Sequence, residues 1–191
     1  MPEILAQFAQ AGIKIVPRIY LVDSLQDVLN HVEQGICDLG LVTYNEEALF
    51  RKFVPYQYSL DMDLLAQDEL VVVMAKENYP ADQESLALQD FLDQFCTMFS
   101  TMPVESAVQS ALDTQVTRSN NADFHRAMIK KAGAYVLMPK RAYEYFFGDE
   151  EYAAMPLSNS KTSLLHAAIY RKNAGEWLLG FAAMIRAAMQ Q

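Results

Sequence analysis

The sequence is short of basic residues: 15 Lys and Arg stand against 24 Asp and Glu over 191 residues, a formal net charge of −9 at pH 7. A surface with pI near 4.7 is repelled by phosphate backbones, which argues against the chain itself gripping nucleic acid. No apolar run approaches the ~20 residues that a membrane helix needs, so no membrane partner is expected. No basic, then apolar, then small-residue leader opens the chain either, which points to a cytoplasmic location. Cysteine is scarce: Cys37 and Cys96 each sit inside an apolar run. A disulfide between them is open on paper, but two buried free thiols suit a cytosolic chain. The three histidines, His31, His125 and His166, are far apart with no carboxylate or Cys at metal-ligand spacing, so no metal site is expected. A Gly-rich phosphate loop, a G-x-S-x-G elbow and paired acids at one strand end are also lacking, and no cofactor or catalytic residue is assigned.

What is present is an ordinary globular composition, 52% hydrophobic and 20% charged, long enough for one domain or two small lobes. The organising stretch is Gly35-Ile36-Cys37-Asp38-Leu39-Gly40-Leu41-Val42-Thr43. Its apolar residues predict a short strand buried on both faces. Upstream, Leu25, Val28, Leu29 and Val32 recur at helical spacing behind Ser24, with Asp27 three residues on as a capping box and Gly35 as the stop. Residues 13–22, apolar and β-branched, predict a strand before that helix. Strand, helix and strand form one βαβ unit and hence a parallel sheet, whose ligands bind at carboxyl ends, here 22–24 and 42–44.

Along the chain, residues 1–10 predict a helix with Ile4, Leu5 and Phe8 on one face. Residues 45–58 read as a polar and aromatic connection. Strands follow at 62–66 and 70–75, split by the acidic turn Gln67-Asp68-Glu69. The alternation then restarts: a helix at 85–93, a strand at 95–99, a helix at 103–113, a strand at 115–117 and a helix at 121–131. That last helix carries Asp123 in its first turn, Lys130 and Lys131 in its last, and Gly133 as its stop. Strands at 134–138, 152–157 and 163–170 and a final helix at 174–189 complete the chain, the final helix with Trp177, Phe181, Met184, Ile185 and Ala188 on one face. The aromatic run Tyr143, Tyr145, Phe146, Phe147 fits a dimer contact or packing on the sheet equally well. Two clusters of βαβ units, with strands 70–75 and 163–170 between them, predict two α/β lobes joined by two crossing strands, with a cleft between.

Several of these stretches resemble the regulatory domain of LysR-type transcriptional regulators: Ile36-Cys37-Asp38-Leu39-Gly40-Leu41-Val42, Glu69-Leu70-Val71-Val72-Val73-Met74 with Pro80, Leu86-Ala87-Leu88-Gln89-Asp90-Phe91, Ala132-Gly133-Ala134-Tyr135-Val136-Leu137-Met138-Pro139, and Ala168-Ile169-Tyr170-Arg171-Lys172. Their order and spacing hold over nearly the whole chain. The resemblance implies an α/β, type II periplasmic-binding-protein-like fold of two Rossmann-like lobes, 1–72 plus 166–191 and 73–165. It implies a small-molecule effector between the lobes, and a winged helix-turn-helix domain ahead of this region that is absent from the chain, so that DNA is met only through that domain. The fold's first strand is missing as well, since Met1-Pro2-Glu3-Ile4-Leu5 matches the first helix. A head-to-tail homodimer is implied too, setting the first helix (Ile4, Phe8) against helix 103–113 of the other protomer.

Carried over by position, the effector site comprises Ser24 or Leu25, Thr43, Met102-Pro103-Val104 and the neighbourhood of His166. Tyr44 joins Thr43 at the end of its strand. Ser100, Thr101, Ser119 and Asn120 precede helices, a setting suited to a carboxylate. The plainer alternative makes Ser24, Thr101 and Asn120 only helix caps and His166 a half-buried histidine without a role. The function expected is a non-enzymatic sensor of a small, anionic metabolite. Its rivals are an enzyme on the same fold, prephenate-dehydratase-like, and a transport-type solute-binding protein.

Overall fold

The computed structural model describes residues 6, 8–10, 12, 16–22, 24–91, 94–99, 116–119, 121–148, 151–158 and 164–190. In chain order the regular elements are α1 (Leu25–Glu33), β1 (Leu39–Asn45), α2 (Glu46–Phe53), β2 (Leu60–Asp68), β3 (Leu70–Ala75), β4 (Cys96–Met98), β5 (Val116–Arg118), α3 (Ala122–Ala132), β6 (Tyr135–Pro139), α4 (Lys140–Phe147), β7 (Tyr152–Pro156), β8 (Leu164–Arg171) and α5 (Glu176–Met189). The chain divides into two compact units. The first is Met1–Val42, Glu47–Gln67 and Leu165–Gln191; the second is Thr43–Glu46 and Asp68–Leu164. The architecture is α/β with two separate sheets.

The first unit holds most of a three-stranded sheet in the order β1-β8-β2. Its core gathers Phe8, Leu65, Ala168, Phe181, Ala182 and Ile185, the Phe8 and Phe181 rings lying 5.3 Å apart. Phe8 is thus buried inside its own unit, 5% exposed. On α5 the buried side is Leu178, Phe181, Ala182 and Ile185, and Trp177, assigned to that face from spacing, is 57% exposed instead.

The second unit holds a five-stranded mixed sheet in the order β5-β4-β6-β3-β7. β4 runs parallel to both β5 and β6, while β3 pairs antiparallel with β6 and β7. β3 is Leu-Val-Val-Val-Met-Ala with its first five residues buried, the continuous apolar run that a central, doubly covered strand demands. The core around it includes Phe91, Met98, Ile129, Leu137, Met155 and Phe147, so the aromatic run is largely sheet packing, with Tyr145 left exposed. α3 obeys its local signals at both ends: Asn121 caps it with Oδ1, and Gly133 stops it at φ +62, where a side chain would strain the backbone.

Four expectations fail. Residues 16–22 form no strand; Val16, Ile19, Tyr20 and Leu21 are exposed, so the first half of the βαβ unit is absent among the described residues. Composition favours a strand there, but a strand exists only when a neighbour pairs with it. β1 is not buried on both faces, since Leu41 is exposed and only Gly40 is fully covered. Residues 46–53 and 140–147 are helices where none was read, and the helix expected at 85–93 shrinks to a single turn, Leu88–Asp90.

Candidate functional site

In the second unit the informative place is the carboxyl end of the parallel strands. β4 and β5 pair in register, Cys96 with Val116, Thr97 with Thr117 and Met98 with Arg118, so the segments that follow them emerge side by side. From β4 the chain goes to β5 on one flank, and from β5 it crosses to β6 on the other flank of β4. The order β5-β4-β6 reverses between β4 and β6, and sheets of this kind take ligands outside the carboxyl ends of the strands at such a reversal. Ser119 stands at the end of the neighbouring β5, half-buried. Its N–H donates to the Met98 carbonyl at 3.1 Å, and its Oγ accepts from the Asn121 N–H at 3.1 Å. A hydroxyl has one proton of its own to donate as well.

The first turn of α3 is less open to an anion. Asn121 Oδ1 accepts from the N–H groups of Asp123 and Phe124 at 2.8 and 3.2 Å, and Asp123 adds a negative charge beside them. Two of the helix's unpaired donors are thus already taken. Any anion here depends on the strand-end segments more than on the dipole of α3.

Beneath Ser119 lies a buried histidine. His125 and Thr97 are both 0% exposed. His125 Nε2 lies 2.9 Å from the Ser119 carbonyl, and Nδ1 lies 2.8 Å from Thr97 Oγ1. A carbonyl only accepts, so Nε2 carries the proton and the neutral ring's Nδ1 accepts from the Thr97 hydroxyl. The rings of Phe99 and Phe124 pack against the imidazole, with centroids 4.4 and 5.5 Å away. Burial lowers the His125 pKa below its ordinary value, partly countered by the bond to Ser119.

In the first unit Ser24 caps α1. Its Oγ accepts from the Asp27 N–H at 3.1 Å and donates to the Asp27 carboxylate at 2.6 Å, so both halves of the hydroxyl are engaged. Arg171, at the end of β8, closes the other end of that helix: its guanidinium donates to the carbonyls of Val32 at 2.9 Å and Cys37 at 3.3 Å and pairs with Asp38 at 3.2 Å. Tyr170, one residue earlier, is pushed up to about 12 by burial and by the carboxylate of Asp63, which also pairs with Arg186 at 3.0 Å. His166 is half-buried in β8. Thr43 and Tyr44 are half-buried near the end of β1, where the chain passes into the second unit.

Of the residues assigned from sequence, Ser100, Thr101, Met102, Pro103, Val104 and Asn120 lie outside the described residues. The described cap of α3 is Asn121. His125 and Thr97 were missed. The signal was present: His125 is four residues before Ile129 and so shares the buried stripe of α3, where a histidine must be hydrogen-bonded. Among the described residues no three His, Cys, Asp or Glu side chains gather as a metal site, and no helix is long and apolar enough to cross a membrane.

The family model of the LysR substrate binding domain matches residues 1–190. The chain belongs to this family. Solved structures agree on the fold. A cysteine mutant of Corynebacterium glutamicum OxyR superposes with a TM-score of 0.69 at 16% identity, covering 100% of this chain and 60% of that one. HinK, a LysR family transcriptional regulator from Pseudomonas aeruginosa, gives 0.71 at 17%, covering 99% and 66%. The reduced OxyR regulatory domain from Pseudomonas aeruginosa gives 0.68 at 15%, covering 97% and 90%. This LysR substrate-binding domain thus spans about two thirds or less of the longer regulators and nearly all of the isolated regulatory domain. A search of curated protein sequences returned no match.

Proposed function

We propose that this chain is the effector-sensing, non-enzymatic domain of a LysR-type transcription regulator, and that it binds a small, anionic metabolite. The observation that carries the reading is the set of parallel strand ends in the second unit, where Ser119 after β5 is hooked onto Met98 of β4, beside the reversal of strand order between β4 and β6, with a hydroxyl proton to give. Thr43 and Tyr44 at the end of β1 are proposed as the matching polar contacts, together with segment 100–103 and Asn120. His166 and Ser24 are weaker members. Ser24 would have to give up its cap to reach a ligand.

A sensor rather than an enzyme is favoured because the perturbed titrating groups have structural causes. Cys96, pushed up to about 12 by burial, is a poor nucleophile, and Tyr170 and His125 are held by packing and hydrogen bonds. The parent regulator is proposed to meet DNA through a winged helix-turn-helix domain and to work as a homodimer in the cytoplasm. CbnR, a full-length neighbour, was solved with its target DNA.

The test is chemical-shift mapping of the isotope-labelled chain against small carboxylates, amino acids and sugars. The expected result is saturable shifts clustered at the amides of residues 43–45 and 119–121, weakened in Ser119→Ala and Thr43→Ala. Shifts scattered over the surface, or unchanged in both variants, would remove the assignment.

A further inference from the structure

We propose that His125 is the positioning residue for the ligand-facing turn that begins at Ser119: by bridging the Thr97 hydroxyl and the Ser119 carbonyl, it sets the geometry in which that turn meets the effector. The inference rests on the reading that the effector binds at the carboxyl ends of β4 and β5.

The geometry is specific. Ser119 is held from three directions: its N–H by Met98 on β4, its Oγ by the Asn121 N–H at the start of α3, and its carbonyl by His125 Nε2 from within that helix. The third also orients the carbonyl, which points at the imidazole, so His125 helps to hold Ser119 and the hydroxyl that the proposed site offers to an effector. A packing role alone calls for an apolar ring at position 125. A ring with both nitrogens bonded, 0% exposed and flanked by Phe99 and Phe124, is a costlier choice that an oriented carbonyl explains.

The arrangement needs a neutral ring. Imidazolium would make Nδ1 a donor facing the Thr97 hydroxyl, which would then have to turn its own proton away into apolar surroundings. Among the described residues no compensating charge faces the ring: β4 and the residue after it present Thr97 and Phe99, the end of β5 presents exposed Arg118, and on α3 Asp123 and Arg126 pair with each other at 3.2 Å. Ligand binding at this turn should therefore weaken as pH falls below the ordinary histidine range.

The experiment compares the full 191-residue chain with H125Q and H125F, using succinate and sulfate as probe anions. The readouts are amide exchange at Ser119 and Asn121, anion-induced shifts at the same amides, and the imidazole ¹⁵N spectrum between pH 5 and 8. In the wild type the ring should be the neutral Nε2–H tautomer. H125F should exchange faster at these amides and bind the probe about tenfold more weakly, the scale of one lost buried hydrogen bond. H125Q keeps an N–H donor near Nε2 and should recover most of the affinity, without the fall at acid pH. An Nδ1–H tautomer, H125F matching the wild type in affinity, or H125Q no better than H125F would each overturn the proposal while leaving the effector site standing. If neither anion shifts the Ser119 amide in the wild type while shifts appear elsewhere, the site reading itself fails and the proposal goes with it. The pH profile and the tautomer decide the matter even if H125F does not fold.

Discussion

Replacing Arg171 by Ala should be among the most damaging single changes at a partly exposed position. The guanidinium reaches the last turn of α1, donating to Val32 O at 2.9 Å, and the following loop, donating to Cys37 O at 3.3 Å, with Asp38 beside it at 3.2 Å. A charged donor on a backbone carbonyl contributes about 1.5–3 kcal/mol when buried, and the side chain is 32% exposed, so the two bonds together merit a discounted figure of about 2 kcal/mol. A cation at a helix C-terminus adds about 0.3–1 kcal/mol. The Asp38 pair adds little, because its carboxylate is 64% exposed and such pairs contribute about 0–1 kcal/mol. R171A is therefore expected to lose about 2–3 kcal/mol, which for a chain of this size lowers Tm by roughly 4–12 °C. R171K should retain the charge but only one of the two carbonyl bonds and fall between, and D38A should lose under about 1 kcal/mol. Urea unfolding of the three variants at constant m-value is the assay. Equal losses for R171A and D38A would refute the reasoning, since they would make the surface ion pair, not the carbonyl bonds, the source of the stability.

Other outcomes follow from the same contacts. A Cβ on Gly40 would run into Val28 Cγ1 and approach Val32 Cγ2 at 3.2 Å, so G40A should destabilise by about 1–3 kcal/mol through overpacking of α1 on β1; a neutral midpoint in urea would contradict this. Because burial holds the folded His125 pKa below its ordinary value, the unfolded chain takes up a proton that the folded chain refuses. Stability is thus unaffected above about pH 7.5 and falls as pH drops through the unfolded value near 6.5, by up to about 1.4 kcal/mol per pH unit; H125Q should flatten that segment of the urea-midpoint profile. Cys96, with its thiol pushed up to about 12 by burial, should stay unlabelled by a thiol reagent at pH 8 until urea unfolds the chain, while half-buried Cys37 reacts in the native state. Early labelling of both would show that the β4 end opens.

The parts of the fold that were legible in the sequence are those whose signals are local. α3 announces itself through Asn121, Asp123, Lys130, Lys131 and Gly133, and each occupies the place its chemistry favours. β3 and β6 are short apolar runs closed by polar residues or proline, and both are buried strands. α4 was invisible because its cap is not local. Pro139 at the N-cap offers no side-chain acceptor, and the carboxylate of Asp68, far away in sequence, accepts the Arg141 N–H at 3.4 Å while Lys140 donates its N–H to the Glu69 carbonyl at 2.9 Å. The acidic turn was read as punctuation, and its second role is tertiary. α2 was hidden by aromatic residues and by the absence of a Gly or Pro stop before Pro55. Segment 16–22 failed in the opposite sense, with strand composition and no strand. Of the proposed site, the sequence offered Ser119 and the strand ends, which a parallel sheet makes natural candidates. For His125 the burial was legible from its place on the α3 stripe but the bonds were not, because Thr97 and the Ser119 carbonyl are brought to it only by folding.

The measurement that goes most directly to the central claim is a thermal-shift screen of this chain against small carboxylates, amino acids and sugars. A sensing site predicts that some member of the carboxylate group raises Tm in proportion to the logarithm of its concentration. At a hundred times Kd the stabilisation is about 2.7 kcal/mol, roughly 5–10 °C for this length, and it should shrink in Ser119→Ala. A cooperatively unfolding chain whose Tm responds only to sugars or neutral amino acids, with Ser119→Ala indistinguishable from the wild type, would contradict the assignment of an anion-sensing site at the ends of β4 and β5.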